Sequence, residues 1–212
     1  MYAPIDPDDR DMRRRHLAKR LVSHQARTQT IYGFTGFTRT RLATMRKRWG
    51  VKENARQRGP SPTSAKILFR SMNVRSEAAA AAVALRVFAD AHGIEMRVLA
   101  ECAGFESGER LCDIFESLQA CFPGGELEFE QFLLLAKGLA AGNEIQVGSC
   151  TACGATILLD LLGTRRILCS PCLRRFMSGG GAKDEVAGGD EGGGSGDAGP
   201  GTDAGDKQGK LF

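Results

Sequence analysis

The chain has 212 residues, 42% of them hydrophobic and 25% charged, with a formal net charge of +4. Its longest uncharged apolar run, Ala78 to Leu85, is eight residues and mostly alanine, far short of the ~20 that a membrane-spanning helix needs. Thirteen of the 27 glycines fall in the last 35 residues, which have little to bury, so folding rests on roughly 177 residues.

The opening residues include Asp6, Asp8, Asp9 and Asp11, unlike the basic and apolar regions of a secretory signal, and a cytoplasmic protein is expected. Charge is unevenly divided beyond them. Residues 10–58 hold fifteen Lys or Arg against Asp11 and Glu53, a net of +13, whereas residues 77–147 carry −8 and residues 178–212 carry −4. A basic first quarter is the footprint of a polyanion-binding surface. It is also compatible with a disordered arm or a solvated helix face.

Met12, Leu17, Leu21 and Ile31 recur near one helical face, with basic residues on the others, and predict a long amphipathic helix over residues 10–34 that stops at Gly36. Thr38 then suits a helix N-cap, with Phe37 before it and Leu42 four residues inside in the placement of a hydrophobic staple. Leu42, Met45 and Trp49 form an inward stripe. Arg39, Thr40, Ala43, Arg46 and Lys47 are left outward as a polar, basic face of major-groove width. Helix, glycine turn and capped basic helix is a helix-turn-helix-like order, whose second helix reads base edges. Tyr32 is bulky where the first helix of that motif usually carries a small residue. Two plainer readings stay open: the stripe is ordinary core with solvated arginines, or the basic side chains touch phosphates only.

Breakers at Gly50, Gly59, Pro60 and Pro62 mark a linker. Ser76 precedes an alanine-rich helix over Glu77–Ala91 carrying Leu85, Val87 and Phe88. A second apolar pattern, Leu111, Ile114, Phe115, Leu118 and Phe122, stops at Pro123 and Gly124; a third, Phe129 to Ala140, stops at Gly142. These helices make a small bundle or a platform for a partner.

Seven cysteines in an intracellular chain argue against a disulfide framework. Four are ordered: Cys150-x2-Cys153-x15-Cys169-x2-Cys172, the doubled spacing of a structural zinc site, in which two knuckles complete a tetrahedron of thiolates. Between the knuckles, Thr156–Leu162, a turn at Gly163 and Thr164, and Arg165–Leu168 read as a β-hairpin, with Gly154 giving its knuckle backbone freedom. Unconnected cysteines or a CxxC redox pair are the alternatives, the latter lacking a thioredoxin-like context. Cys102, Cys112 and Cys121 read as small buried hydrophobes.

The stretch Ala26 to Trp49, ARTQTIYGFTGFTRTRLATMRKRW, followed by a Pro-containing linker, an alanine-rich helix, and then GSCTACG and CSPC, resembles the bacterial flagellar transcriptional activator FlhC family. The likeness is clearest over residues 20–75 and 145–175, about 40% of the chain. It implies a DNA-binding subunit that acts in a hetero-oligomer with an FlhD-type partner, binds flagellar operon promoters and recruits RNA polymerase. It further implies a structural zinc held by Cys150, Cys153, Cys169 and Cys172. The single tryptophan, the few aromatics in the central helices and the glycine-rich acidic tail depart from the family pattern.

The expected architecture is mainly α: a basic helix-turn-helix-like DNA-binding region (1–58), a linker (59–75), a helical core or partner-binding region (76–145), a small four-cysteine zinc ribbon (146–177) and a disordered tail (178–212). Candidate DNA contacts are Arg39, Thr40, Arg41, Arg46, Lys47 and Arg48, with Arg165 and Arg166 on the zinc ribbon as a second surface. The histidines, His16, His24 and His92, lack a nucleophile context, and no phosphate-cradling glycine loop occurs, so no enzyme is expected. The rival readings are a zinc-ribbon protein-interaction adaptor and an RNA-binding protein without promoter specificity.

Overall fold

The computed structural model describes residues 6–51, 59–101, 104–163 and 167–178. These are mainly helical. The first helix, α1 (Pro7–Ser23), is capped by the Asp6 carboxylate, which accepts the Asp8 N–H at 2.9 Å. Leu17, Ala18, Leu21 and Val22 are buried. Met12 is not: it stands 63% exposed, away from the stripe to which its spacing assigns it.

The single helix expected over residues 10–34 is broken. After Ser23 the chain turns through Gln25 at φ 57, with Ala26 N–H donating to Leu21 O and Gln25 N–H to Val22 O, the bonding of a Schellman end. Then α2 (Thr28–Thr35) begins afresh. No Gly or Pro marks the break, because its cause comes from far along the chain: the Glu130 carboxylate accepts the Arg27 N–H at 2.8 Å and the Thr30 hydroxyl at 2.7 Å. A carboxylate at that place caps the new helix and matches its positive end.

The stop at Gly36 is where the sequence puts it. Gly36 is left-handed at φ 70, its N–H donating to Tyr32 O, and α3 (Arg39–Arg48) follows with the Thr38 hydroxyl accepting the Arg41 N–H at 3.3 Å. Phe37 and Leu42, the expected staple, are both buried, and Met45 and Trp49 pack against the core. Tyr32 is 48% exposed, so its bulk stands at the surface.

Residues 52–58 lie outside the described part. A 3-10 turn over Ala65–Phe69 buries Ala65 and Leu68 inside the segment read as linker. The alanine-rich helix, α4 (Met72–Ala91), starts a turn earlier than expected, because Ser71 rather than Ser76 caps it, accepting the Val74 N–H. Its buried face is Ala78, Ala81, Ala82 and Leu85, small side chains that admit neighbouring helices closely. Val87 is 60% exposed.

A short helix that the sequence does not announce, α5 (Met96–Ala100), leads to α6 (Phe105–Cys121) and α7 (Phe129–Ala141). Both carry their expected apolar faces inward, except Phe122, which is 39% exposed at the end of α6. Phe115, Phe129 and Phe132 pack ring on ring with centroids 5.1–6.1 Å apart, and His24 lies against Phe115 and Phe129. Gly108 lets α6 approach the N-terminal helices: a Cβ there would lie 2.9 Å from Leu17 Cδ2 and 3.0 Å from the Phe34 ring. One continuous apolar core thus runs from Leu17 through Leu42 and Leu85 to Leu158.

The acidic and basic blocks of the sequence meet in the fold. Arg13 of α1 pairs with Glu109 of α6 at 2.7 Å, and Arg20 reaches both Asp113 (2.6 Å) and Glu116 (2.8 and 2.9 Å). His24 Nε2 adds a 2.8 Å bond to Glu116. The Arg20 guanidinium beside Glu116, with His24 behind it, holds that carboxyl below its ordinary pKa of 4.5 despite partial burial. A carboxyl depressed by folding stabilises the native state above its unfolded pKa and loses that contribution as pH falls through the folded value. Native protein should therefore be more stable than Glu116→Gln at neutral pH. The gap in melting temperature should close as the medium passes below about pH 4.5; a gap independent of pH between 7 and 2.5 would contradict the assignment.

Candidate metal centre and basic surface

Two antiparallel strands, β1 (Ile145–Ser149) and β2 (Thr156–Asp160), pair with Val147 opposite Leu158, and the first cysteine pair lies in their connection. The hairpin thus encloses a knuckle. The expected hairpin instead pairs Thr156–Leu162 with Arg165–Leu168; among the described residues the partner of β2 is β1, and Ile167 and Leu168 are in no strand, while residues 164–166, and with them Arg165 and Arg166, lie outside the described part. What decides the pairing is Ile145, 1% exposed, and Val147, packed on the core, which make β1 a half-buried strand next to β2.

The knuckle closes tightly. Gly154 is left-handed at φ 73, its N–H donates to Cys150 O, and Cys150 N–H donates to Ala155 O. Gly154 therefore has the backbone role expected of it. The second pair straddles the start of α8 (Ser170–Ser178), so Cys172 sits in its first turn while Cys169 precedes it. Ser178, expected to open the tail, ends this helix; residues 179–212 lie outside the described part.

Four sulfurs converge here. The Sγ atoms of Cys150, Cys153, Cys169 and Cys172 all lie within 4.8 Å of one another, and Cys153 and Cys169 are 3.6 Å apart. A tetrahedral metal with ~2.3 Å sulfur bonds has sulfur–sulfur edges of about 3.8 Å, whereas a disulfide needs ~2.05 Å. No disulfide joins any of the four. The Cys169 N–H donates to Cys150 Sγ at 3.3 Å, and that bond lowers the Cys150 thiol to about 6. Cys172 is pushed up to about 12, first by the thiol of Cys169 and then by that of Cys153. Four crowded sulfurs cannot all ionise alone, and a thiophilic divalent ion held by them would supply the missing positive charge. The cluster fits a metal ion.

The cluster is fastened to the helices. Ser170, 4% exposed, donates to Met72 O and bonds Ser76 Oγ at 2.9 Å, and Arg75 donates to Leu158 O at 3.4 Å. Ile157 and Leu158 are buried. Of the remaining cysteines, Cys112 is fully buried and burial raises its thiol to about 12, an inert core position. Cys121 is exposed, contrary to expectation, because it ends α6 on its outer side; Cys102 lies outside the described residues.

The basic surface divides into committed and open side chains. Arg39, Thr40, Lys47 and Arg48 are exposed on α3, and none of these cations has an ion pair among the described residues. Arg46 is a correction to the outward face. One turn from buried Leu42, it lies along the helix shoulder, half-buried, donating to Thr28 Oγ1 at 3.0 Å and Ala26 O at 3.4 Å; it joins α3 to the start of α2. Arg41 stacks over Phe37 at 4.2 Å and grips Asp11 of α1 with bonds of 2.8 and 3.0 Å. Asp11 also holds Arg15 at 2.6 Å. The sequence does not reveal Asp11 as a partner of α3, although Asp11, Arg15 and Lys19 recur every fourth residue and so share one face of α1.

No protein-family model and no curated protein matches this chain. Among the described residues, no helix is long and apolar enough to cross a membrane.

Proposed function

We propose that this chain is a non-enzymatic, cytoplasmic DNA-binding subunit of a transcriptional activator of the FlhC type. In this reading it acts with an FlhD-type partner at flagellar operon promoters, recruits RNA polymerase, and carries a structural zinc on Cys150, Cys153, Cys169 and Cys172. The observation that carries the reading is the open face of α3: Arg39, Thr40, Lys47 and Arg48 stand exposed on a helix that follows a left-handed Gly36 turn and a Thr38 cap. That is the order of a helix-turn-helix, with α2 and α3 as its two helices. Lys47 and Arg48 supply phosphate or base-edge contacts, Arg41 adds a cation beside them, and Arg46 holds the reading helix against the start of α2. Arg165 and Arg166, which lie outside the described residues, are in this reading further DNA contacts of the metal region, which serves as a small zinc ribbon.

Footprinting on a flagellar promoter, with and without the FlhD-type partner, tests this: a protected site that random competitor does not abolish is expected. The double variant Arg39→Glu and Lys47→Glu should weaken that binding by about 100-fold or more at physiological salt, since reversing two cations removes their phosphate or base contacts and adds repulsion. Unchanged affinity would remove the recognition role from α3.

A second reading, a protein-interaction adaptor, draws on α8, where Phe176 and Met177 are 77% and 71% exposed near the cysteine cluster. Salt-sensitive protection without a defined boundary would favour it. A preference for RNA over duplex would favour the RNA-binding reading.

A further inference from the structure

The face of α1 that points toward α3 has no role in the reading above. Between the two helices lies a cleft of about 530 Å³. Its walls carry Arg15 and Lys19 from α1 and Arg41 and Arg48 from α3, and Met45 and Trp49 line its apolar part. Four cations from two rigid helices around one cleft make a strong positive potential. The only carboxylate given a bond to any of these four, among the described residues, is Asp11, which occupies Arg41 and Arg15 together.

We propose that this cleft takes the phosphate backbone of duplex DNA, and that Asp11 stands in for a phosphate there until DNA displaces it. The inference rests on the DNA-binding reading but adds a second wall to the site, α1, and an internal competitor. The carboxylate spacing of Asp11 between two guanidinium groups is the arrangement a phosphate oxygen pair adopts between arginines. Arg41 is already oriented by its stack on Phe37, so little side-chain freedom is lost on exchange. Lys19 and Arg48, which have no ion pair among the described residues, supply the surplus charge that favours the phosphate over the carboxylate.

The test uses the full chain and a fluorescein-labelled duplex oligonucleotide, because phosphate contacts are independent of sequence and need no partner subunit. Trp49 is the only tryptophan, so its emission reports the cleft directly while anisotropy reports binding. Expected are a Trp49 change with the same midpoint as the anisotropy, tighter binding by Asp11→Asn with a salt slope steeper by about one, and a slope shallower by about one in Lys19→Ala. Lys19 is exposed and its variant leaves the fold intact, so the result does not hang on Asp11 alone. Duplex binding with silent Trp49 and native salt slopes in both variants would overturn the proposal and leave the DNA-binding reading standing. Absence of any duplex binding would remove both. A Trp49 response to inorganic pyrophosphate but not to duplex would assign the cleft to a free phosphate ligand and overturn the proposal.

Discussion

On the proposed structural-zinc reading, replacing Cys150 and Cys169 with serine is expected to lower metal content from one zinc per chain to less than about a tenth, since one ligand is lost from each knuckle and a serine hydroxyl does not ionise as a thiolate does. The structural consequence should be local. A two-stranded hairpin is marginal alone, and β1 and β2 are five residues each. Two things hold them: the sulfur cluster, and the burial of Ile157, Leu158 and Ser170 against the helices. Isolated zinc modules owe about 10–16 kcal/mol to their metal, but here the loss is limited to what unfolding this segment can release. Amide exchange in β1, β2 and α8 should therefore accelerate by orders of magnitude, while α1 to α7 retain their helical signal and their shared core. Metal analysis and hydrogen exchange on one sample decide it. A variant that keeps one stoichiometric zinc contradicts the ligand set, and global loss of helix would show that the cluster supports the whole core.

What the sequence reveals and what it hides divide by range. The cysteine cluster is legible because a two-residue gap fixes a knuckle locally, and Gly154 marks its position by φ alone. The α2–α3 turn is legible for the same reason: Gly36, Thr38 and Leu42 act within seven residues of each other. The break between α1 and α2 is hidden, because no breaker residue lies there and the cap arrives from Glu130 on α7. Strand β1 is obscured as well: only five residues long, between the helix stop at Gly142 and the first cysteine, it has no visible partner until β2 is placed beside it. Net charge misleads in a different way. The +13 of the first quarter includes Arg13 and Arg20, which face Glu109, Asp113 and Glu116 of α6. Opposite blocks far apart in sequence are neighbours in space, and only part of the basic block remains for a polyanion.

Glu130→Ala should destabilise the chain by about 2–4 kcal/mol, because it removes one acceptor from several donors at the start of a helix. Glu130 is 4% exposed. Its Oε1 accepts from the Arg27 N–H and the Thr30 hydroxyl, and its Oε2 from the Ser61 hydroxyl at 2.9 Å. Three segments, α2, α7 and the chain after Gly59, are thereby tied at one point. Glu130→Gln separates charge from shape: the amide oxygen still accepts from Arg27 and Thr30, and the amide nitrogen can donate to Ser61, whose hydroxyl then reverses roles. Only the attraction of a full negative charge for the positive end of α2 is lost, costing about 1 kcal/mol. Urea melts of the three proteins should therefore fall in the order native, Gln, Ala. Because α2 carries the Gly36 turn that sets α3, Ala should also weaken duplex binding while Gln restores most of it, which a change of surface charge alone would not do. Equal midpoints for native and Ala, or a Gln variant as unstable as Ala, would show that the break between α1 and α2 is held by something other than this carboxylate.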